Sequence, residues 1–269
     1  MKNKTISIAV IQTNTTDDIS QNIINIKKLL NKKQSKQADF VMLPECCHFR
    51  KIKRSPLKGE PIPGPFTKEL AKIAKQNKQH VLIGSLFEHS DNAKFYNTSV
   101  LLSPDGEIQS TYRKIHLFDA IIGGIRLYES DYFLPGNKPV MTEVKGFKLG
   151  LSICYDIRYP ELYRKYFDNN VDIICIPSSF TYKTGELHWE TLCRARAIEN
   201  QAYVCAPNQY GIGSGQVNTY GHSMIVDPKG KVCAIADDHT DQILTLKIEK
   251  SKILMTRNQM PCHLHKTID

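Results

Sequence analysis

Apolar and polar positions along the chain follow two alternating periods. Short β-branched apolar runs read as buried strands: ISIAVIQ from Ile6, DFVMLPE from Asp39, HVLIGSLFE from His80, TSVLLS from Thr98 and KLGLSICYD from Lys148. VDIICIPSSF from Val171, AYVCAPNQ from Ala202, HSMIVDP from His222 and QILTLKI from Gln242 continue the series. Between them the period lengthens to that of a helix. Ile19, Ile23, Ile26 and Leu30 mark one helical face, and Leu70, Ile73 and Ala74 mark a second, opened by Pro63, Gly64 and Pro65. Pro160 to Tyr166 predicts a third helix, with proline at its first turn, and Trp189 to Ile198 a fourth. Such alternation predicts an α/β fold of βαβ units around largely buried sheet. The pattern occurs before about residue 105 and again from about 148, with no low-complexity linker between, so one domain over residues 1–269 with two sheets is expected. SPDG (103–106) and DPKG (227–230) read as hairpin connections. Residues 115–147, which include IHLFDAIIGGIRLYESDYFLPG, show neither period. A long irregular segment in a compact domain is often functional.

Composition narrows the class. No stretch reaches the ~18 uninterrupted apolar residues of a membrane span. The opening MKNKTISIAVIQ lacks the long apolar core of a signal peptide. A cytoplasmic protein with no membrane partner is expected. The net charge of +9 comes from 36 basic and 27 acidic residues, with Lys27, Lys28, Lys32, Lys33 and Lys36 on one predicted helix. No arginine cluster or interleaved aromatic accompanies these lysines, which points to a solvated face and no nucleic-acid partner. The eight cysteines are scattered without a CxxC, as expected of reduced thiols that mostly fill the core. Cys46–Cys47–His48 and Cys262–His263–His265 lack the spacing of a structural zinc site, and the reading calls for no metal and no cofactor.

Three strand ends carry unusual residues: Glu45 after Pro44, Lys114 in YRKIH, and Cys154 in KLGLSIC. In α/β sheets the carboxyl ends of strands are where sites gather. The trio makes coherent chemistry. A thiol attacks as thiolate, and a nearby ammonium such as that of Lys114 is expected to lower its pKa. Glu45 can take the thiol proton and later protonate the leaving amine. Lys114 and the Tyr155 N–H can stabilise an oxyanion. Water then releases the acid from a thioester. Two rivals stand beside this reading. One is a Cys–His hydrolase using His116, His188 or His222. The other is a non-catalytic binding protein on the same fold.

The segments LPE around Glu45, YRKIHLFD around Lys114 and GLSICYDIRYPEL around Cys154 occur in the order of a Glu–Lys–Cys signature. With YES at Tyr128 to Ser130, TGELHWETLCRARAIENQAYV from Thr184 and YGHSMIVDPKG from Tyr220, the sequence resembles the nitrilase-like carbon–nitrogen hydrolase superfamily from about Ile6 to Pro261. The resemblance implies a four-layer αββα sandwich. It also implies a homodimer or higher homo-oligomer, built through the helix after Cys154 and the tail at about 249–269. It makes Glu129 the family's second glutamate, a holder of Lys114. It implies an amidase that converts the amide of a small carboxylate-bearing molecule to acid and ammonia. Among superfamily members the chain is most similar to amidases acting on deaminated glutathione, with the ω-amidases that hydrolyse α-ketoglutaramate as close relatives. Arg158 could grip a substrate carboxylate with its planar fork, or pair with Asp156 or Glu161. Phe180 and Thr184 would form the far wall. The chain departs from these relatives after HLFD, where it reads AIIGGIRLYES, at Lys229 in the DPKG turn, and at Cys46, Cys47 and His48 after Glu45. These departures bear on substrate identity more than on the chemistry.

Overall fold

A computed structural model of the chain describes residues 4–51, 56–122, 124–213 and 217–267. Gly123 in the AIIGGIRLYES stretch and residues 268–269 of the tail lie outside the described residues. The first half runs β1 (Thr5–Gln12), α1 (Ile19–Leu30), α2 (Lys33–Lys36), β2 (Phe40–Met42), α3 (Pro65–Asn77), β3 (His80–His89), β4 (Phe95–Leu102) and β5 (Ile108–Arg113). A rim segment follows, with β6 (Asp119–Ile122), β7 (Ile125–Tyr128), a 3-10 turn (Glu129–Asp131) and β8 (Phe133–Leu134). The second half runs β9 (Val140–Val144), β10 (Phe147–Leu151), a 3-10 helix (Cys154–Arg158), α4 (Pro160–Asp168), β11 (Ile173–Cys175), α5 (Tyr182–Asn200) and β12 (Tyr203–Ala206). It closes with β13 (Tyr210–Ile212), β14 (Asn218–Tyr220), β15 (Met224–Val226), β16 (Val232–Ile235), β17 (Gln242–Glu249) and α6 (Lys250–Gln259).

Two sheets form. One has the order β17-β1-β2-β3-β4-β5, with β8 beside β4, and the other β16-β15-β12-β11-β10-β9. β1, β2 and β3 are parallel, as are β10, β11 and β12. The period-2 alternation of the strands creates the layers. In the first sheet Ile8, Val10, Met42 and Leu82 share one core with the second sheet. Their neighbours Ala9, Ile11, Val41 and Ile83 pack instead with Ile26 and Leu30 of α1 and with Phe66 and Leu70 of α3. In the second sheet Leu149 and Leu151 flank Gly150, and the Tyr166 ring of α4 lies where a Cβ on Gly150 would be. Trp189, Cys193 and Ala197 of α5 complete that side. The four layers are therefore helix, sheet, sheet, helix, the αββα sandwich expected. Fully burying one such apolar side chain is worth about 1.5–3 kcal/mol, which makes this seam the main source of stability.

Both hairpins read from the sequence are present: SPDG joins β4 to β5 and DPKG joins β15 to β16, with Gly106 at φ +80° and Gly230 at φ +83°. Four details differ from expectation, the first being that the predicted lysine-rich helix is broken at Asn31 and Lys32 into α1 and α2. α5 begins at Tyr182, well before Trp189, so Thr184 sits on its first turn. β10 stops at Leu151, and Cys154 opens a 3-10 helix instead of ending the strand. The aperiodic segment contains an antiparallel hairpin, β6–β7, whose edge-exposed positions hide the strand period. Among the described residues no helix is long and apolar enough to cross a membrane.

Candidate active site

Leu43–Pro44–Glu45 leaves the carboxyl end of β2 and crosses directly over β3. Gly84 makes that crossing possible: a Cβ there would lie 2.0 Å from the Leu43 carbonyl oxygen and 2.3 Å from that of Pro44. The Glu45 carbonyl accepts from Gln209 Nε2 at 2.9 Å. Its carboxylate is held from both sheets. Oε1 accepts from Lys114 Nζ at 3.0 Å and from Asn97 Nδ2 at 2.9 Å. Oε2 accepts from the Ser179 N–H, which follows β11, at 2.8 Å. Lys114 is the first residue after β5, and its own N–H donates to the Asn97 carbonyl at 2.8 Å. Its ammonium also donates to Glu129 Oε1 at 2.9 Å, while Glu129 Oε2 accepts from the Phe118 N–H at 2.7 Å. Two of the three ammonium donors are thus committed to carboxylates, which leaves one for a ligand.

Cys154 adopts φ +47°, the left-handed region that costs a side-chain-bearing residue about 1–2 kcal/mol. Its N–H donates to the Pro177 carbonyl at 2.9 Å. The next N–H, of Tyr155, lies in the opening turn of a helix, where backbone donors lack intrahelical partners. Asp156, fully buried, fixes this turn. Its Oδ2 accepts from the Ile153 N–H at 2.8 Å and the Tyr112 hydroxyl at 2.7 Å. Its Oδ1 accepts from the His116 N–H at 3.0 Å and meets His116 Nδ1 at 2.7 Å. Tyr112 and His116 flank Lys114, so one carboxylate fastens the nucleophile's turn to the lysine's segment.

Protonation follows from burial and from two carboxylates facing one ammonium. Burial pushes the Cys154 thiol well above its usual range, Glu45 pushes it further, and Lys114 pulls it back only in part. Lys114 lowers the thiol pKa as expected, but burial and Glu45 outweigh it. Burial also works against charge on Lys114, yet the attraction of Glu129 and Glu45 holds its ammonium well above the ordinary lysine range. Burial raises the Glu129 carboxyl, with Glu45 adding to the rise and Lys114 opposing it. The resting nucleophile is a neutral thiol that needs a base at the moment of attack.

A cavity of about 300 Å³ opens over these groups. Glu45, Glu129, Cys154, Tyr155, Arg158, Phe180 and Thr184 line it, and Lys114 sits just behind the wall with its ammonium on Glu45 and Glu129. Arg158 forms no ion pair with Asp156 or Glu161 among the described residues. Its guanidinium lies 5.7 Å from the Tyr155 ring centre and 5.3 Å from that of Phe180, with Nη2 3.3 Å from His188 Nδ1. At the rim, β7 supplies Arg126, which pairs with Asp131 at 2.9 Å, and Lys51 lies over the Tyr132 ring. The three histidines go elsewhere: His116 to Asp156, His188 to Arg158, and His222 Nδ1 to the Tyr220 carbonyl at 2.7 Å. None is hydrogen-bonded to Cys154 among the described residues. Asn97, Ser179 and Asp156 complete the arrangement, and the first two carry no local sequence signal. Asn97 and Ser179 act through a neighbouring strand and a backbone donor, which no local pattern announces. Asp156 had a local signal, a charged residue two positions after the thiol.

Comparison with known proteins agrees with this architecture. The carbon–nitrogen hydrolase family profile matches residues 7–258. The nitrilase and fragile histidine triad fusion protein of Drosophila melanogaster is 37% identical over 276 residues that take in the whole of this chain, and the chain spans 59% of that protein's length. Deaminated glutathione amidase of Dictyostelium discoideum is 34% identical over 280 residues, covering 100% of this chain and 96% of its own. Omega-amidase NIT2 of Bos taurus is also 34% identical, over 267 residues, with 98% and 96% covered. The crystal structure of the Caenorhabditis elegans NitFhit protein superposes with a TM-score of 0.89 at 32% identity, over 99% of this chain and 66% of that one. The chain belongs to the carbon–nitrogen hydrolase family, within the nitrilase superfamily of cysteine hydrolases acting on carbon–nitrogen bonds other than peptide bonds.

Proposed function

We propose that the chain is an amidase of a small, carboxylate-bearing amide, built as one hydrolase domain over residues 1–269, with Cys154 as nucleophile. Glu45 accepts the thiol proton as sulfur attacks the amide carbon. The developing oxyanion is met by the free donor of Lys114 and the Tyr155 N–H. Glu45 returns the proton to nitrogen, the carbon–nitrogen bond breaks, and ammonia or a small amine leaves a thioester on Cys154. Water, deprotonated by Glu45, then releases the acid and restores the thiol. Glu129 holds Lys114 in place. The carrying observation is Arg158: a guanidinium on the cavity wall, set against two aromatic rings, with no carboxylate partner among the described residues. A substrate carboxylate would satisfy its fork. Deaminated glutathione is the first choice and α-ketoglutaramate the second, since both carry such a group, and relatives named for either activity stand at 34% identity. Exposed Leu254 and Met255 on α6 and Met260 and Leu264 beyond it support assembly of a homodimer or larger oligomer through the tail.

The test is product release from deaminated glutathione, α-ketoglutaramate, glutamine and a simple aliphatic amide, with Cys154→Ala as control. Turnover of the carboxylate-bearing amides, lost at least about 10³-fold in the variant, is expected. Turnover that survives Cys154→Ala would sink the proposal.

A further inference from the structure

Several buried side-chain polar atoms have no partner among the described residues, and only one of them, Asn97 Oδ1, belongs to a residue that lines the cavity. Asn97 itself is 2% exposed. Its orientation is fixed chemically. An ionised carboxylate oxygen only accepts, so the group 2.9 Å from Glu45 Oε1 must be the Asn97 NH2, which turns the amide oxygen away from Glu45. The backbone of Asn97 is already engaged, because its carbonyl takes the Lys114 N–H. An orphaned buried acceptor costs about 1–3 kcal/mol, and it persists here beside the groups that would meet a substrate.

We propose that Asn97 Oδ1 accepts the N–H of the scissile amide while Asn97 Nδ2 holds Glu45, making Asn97 the residue that selects amides over esters. This rests on the amidase reading above. The geometry suits the step at which the bond breaks. With its hydrogen directed to Asn97, the amide nitrogen turns its lone pair toward the neighbouring Glu45, the group that must protonate it. Asn97 makes and breaks no bond. An ester of the same acid has no such hydrogen and leaves the acceptor unmet. Sites built to bind an N–H or O–H reject analogues that lack it far more strongly than apolar pockets reject a size change.

The experiment compares kcat/KM for the best amide of the panel and for the methyl ester of the same acid. It uses the native chain, Asn97→Leu and Asn97→Asp. In Asn97→Leu both rates fall because Glu45 loses a donor, but the amide-to-ester ratio is expected to drop about tenfold or more. Asn97→Asp keeps an acceptor and loses the donor, so the ratio should stay within about threefold of native. The acidic limb of its pH profile should move up by about one unit, because two carboxyl groups in contact do not both ionise readily. The other charged or titratable groups around Glu45 are Lys114, Glu129, Cys154, Cys46 and Arg50, and neither variant alters them. An unchanged ratio in Asn97→Leu, or an unmoved limb in Asn97→Asp, overturns the proposal. If Asn97→Leu does not fold, the limb and the ratio of the aspartate variant decide it. A native chain that turns over no amide overturns both this proposal and the amidase reading. A working native amidase with an unshifted ratio overturns the role of Asn97 alone.

Discussion

Arg158 carries the sharpest prediction about a single side chain. A hydrogen bond to a charged group is worth about 1.5–3 kcal/mol, so Arg158→Met should lower kcat/KM for a carboxylate-bearing amide about 10- to 100-fold. An uncharged amide of similar length should change by less than about threefold, since it never used the charge. Arg158→Lys should recover only part of the loss, because an ammonium cannot present two parallel donors. Equal losses on both substrates would remove Arg158 from carboxylate recognition. At this scale much of the site was legible in the sequence. Glu45, Lys114 and Cys154 each follow a readable strand closely, and the carboxyl ends of strands are where chemistry collects. The thiol's ionisation was not legible, because its first cause is burial, which the fold supplies and the local sequence does not announce.

Among elements, the crossing of Leu43–Pro44–Glu45 over Gly84 is the most sensitive joint. In Gly84→Ala the new methyl would meet two backbone carbonyls, which cannot rotate away as a flexible side chain would. Overpacking of this kind costs about 1–3 kcal/mol. The urea midpoint should fall accordingly, and kcat should drop about 100-fold as Glu45 is displaced by a fraction of an ångström or more. A variant with native stability and native kcat would show that the crossing tolerates the shift. The β6–β7 hairpin illustrates a half-legible element. Two glycines between short apolar runs are a recognised signal of a two-residue turn. The surrounding residues conceal it, because the hairpin stands at a rim, with Ile121 68% exposed while Leu127 and Tyr128 line the cavity.

The whole molecule carries a pH signature. Burial raises the thiol of Cys47 to about 12 and those of Cys154, Cys175, Cys193 and Cys205 above the free-cysteine value of 9.0. A thiol harder to ionise when folded contributes stability that is complete below the unfolded pKa and is lost as pH rises toward the folded one. The urea midpoint should therefore hold steady from pH 7 to about 8.5 and decline steeply between about 9 and 11. Buried Tyr112 and Tyr163, raised by the same cause, extend the decline at the upper end. A midpoint flat across that window would contradict the burial of these thiols. The two sheets were legible, because one strand-and-helix pattern occurs twice, whereas their stacking into four layers was implied by the family resemblance alone. The return of β17 to the first sheet was not legible, since an apolar run states that it is a strand without naming its neighbour.

That return has a further consequence. Glu45 and Lys114 come from one sheet, Cys154 and Ser179 from the other, and the exposed 137–139 connection joins the two parts of the chain. Cut there, the molecule would yield two pieces that each hold half a chemical apparatus. The second piece would also carry β17, whose eight-residue register with β1 works as a buckle onto the first. Such fragments should be inert apart and regain turnover when mixed, so that hydrolysis becomes a count of mated halves and the enzyme a split reporter already supplied with its own fastening.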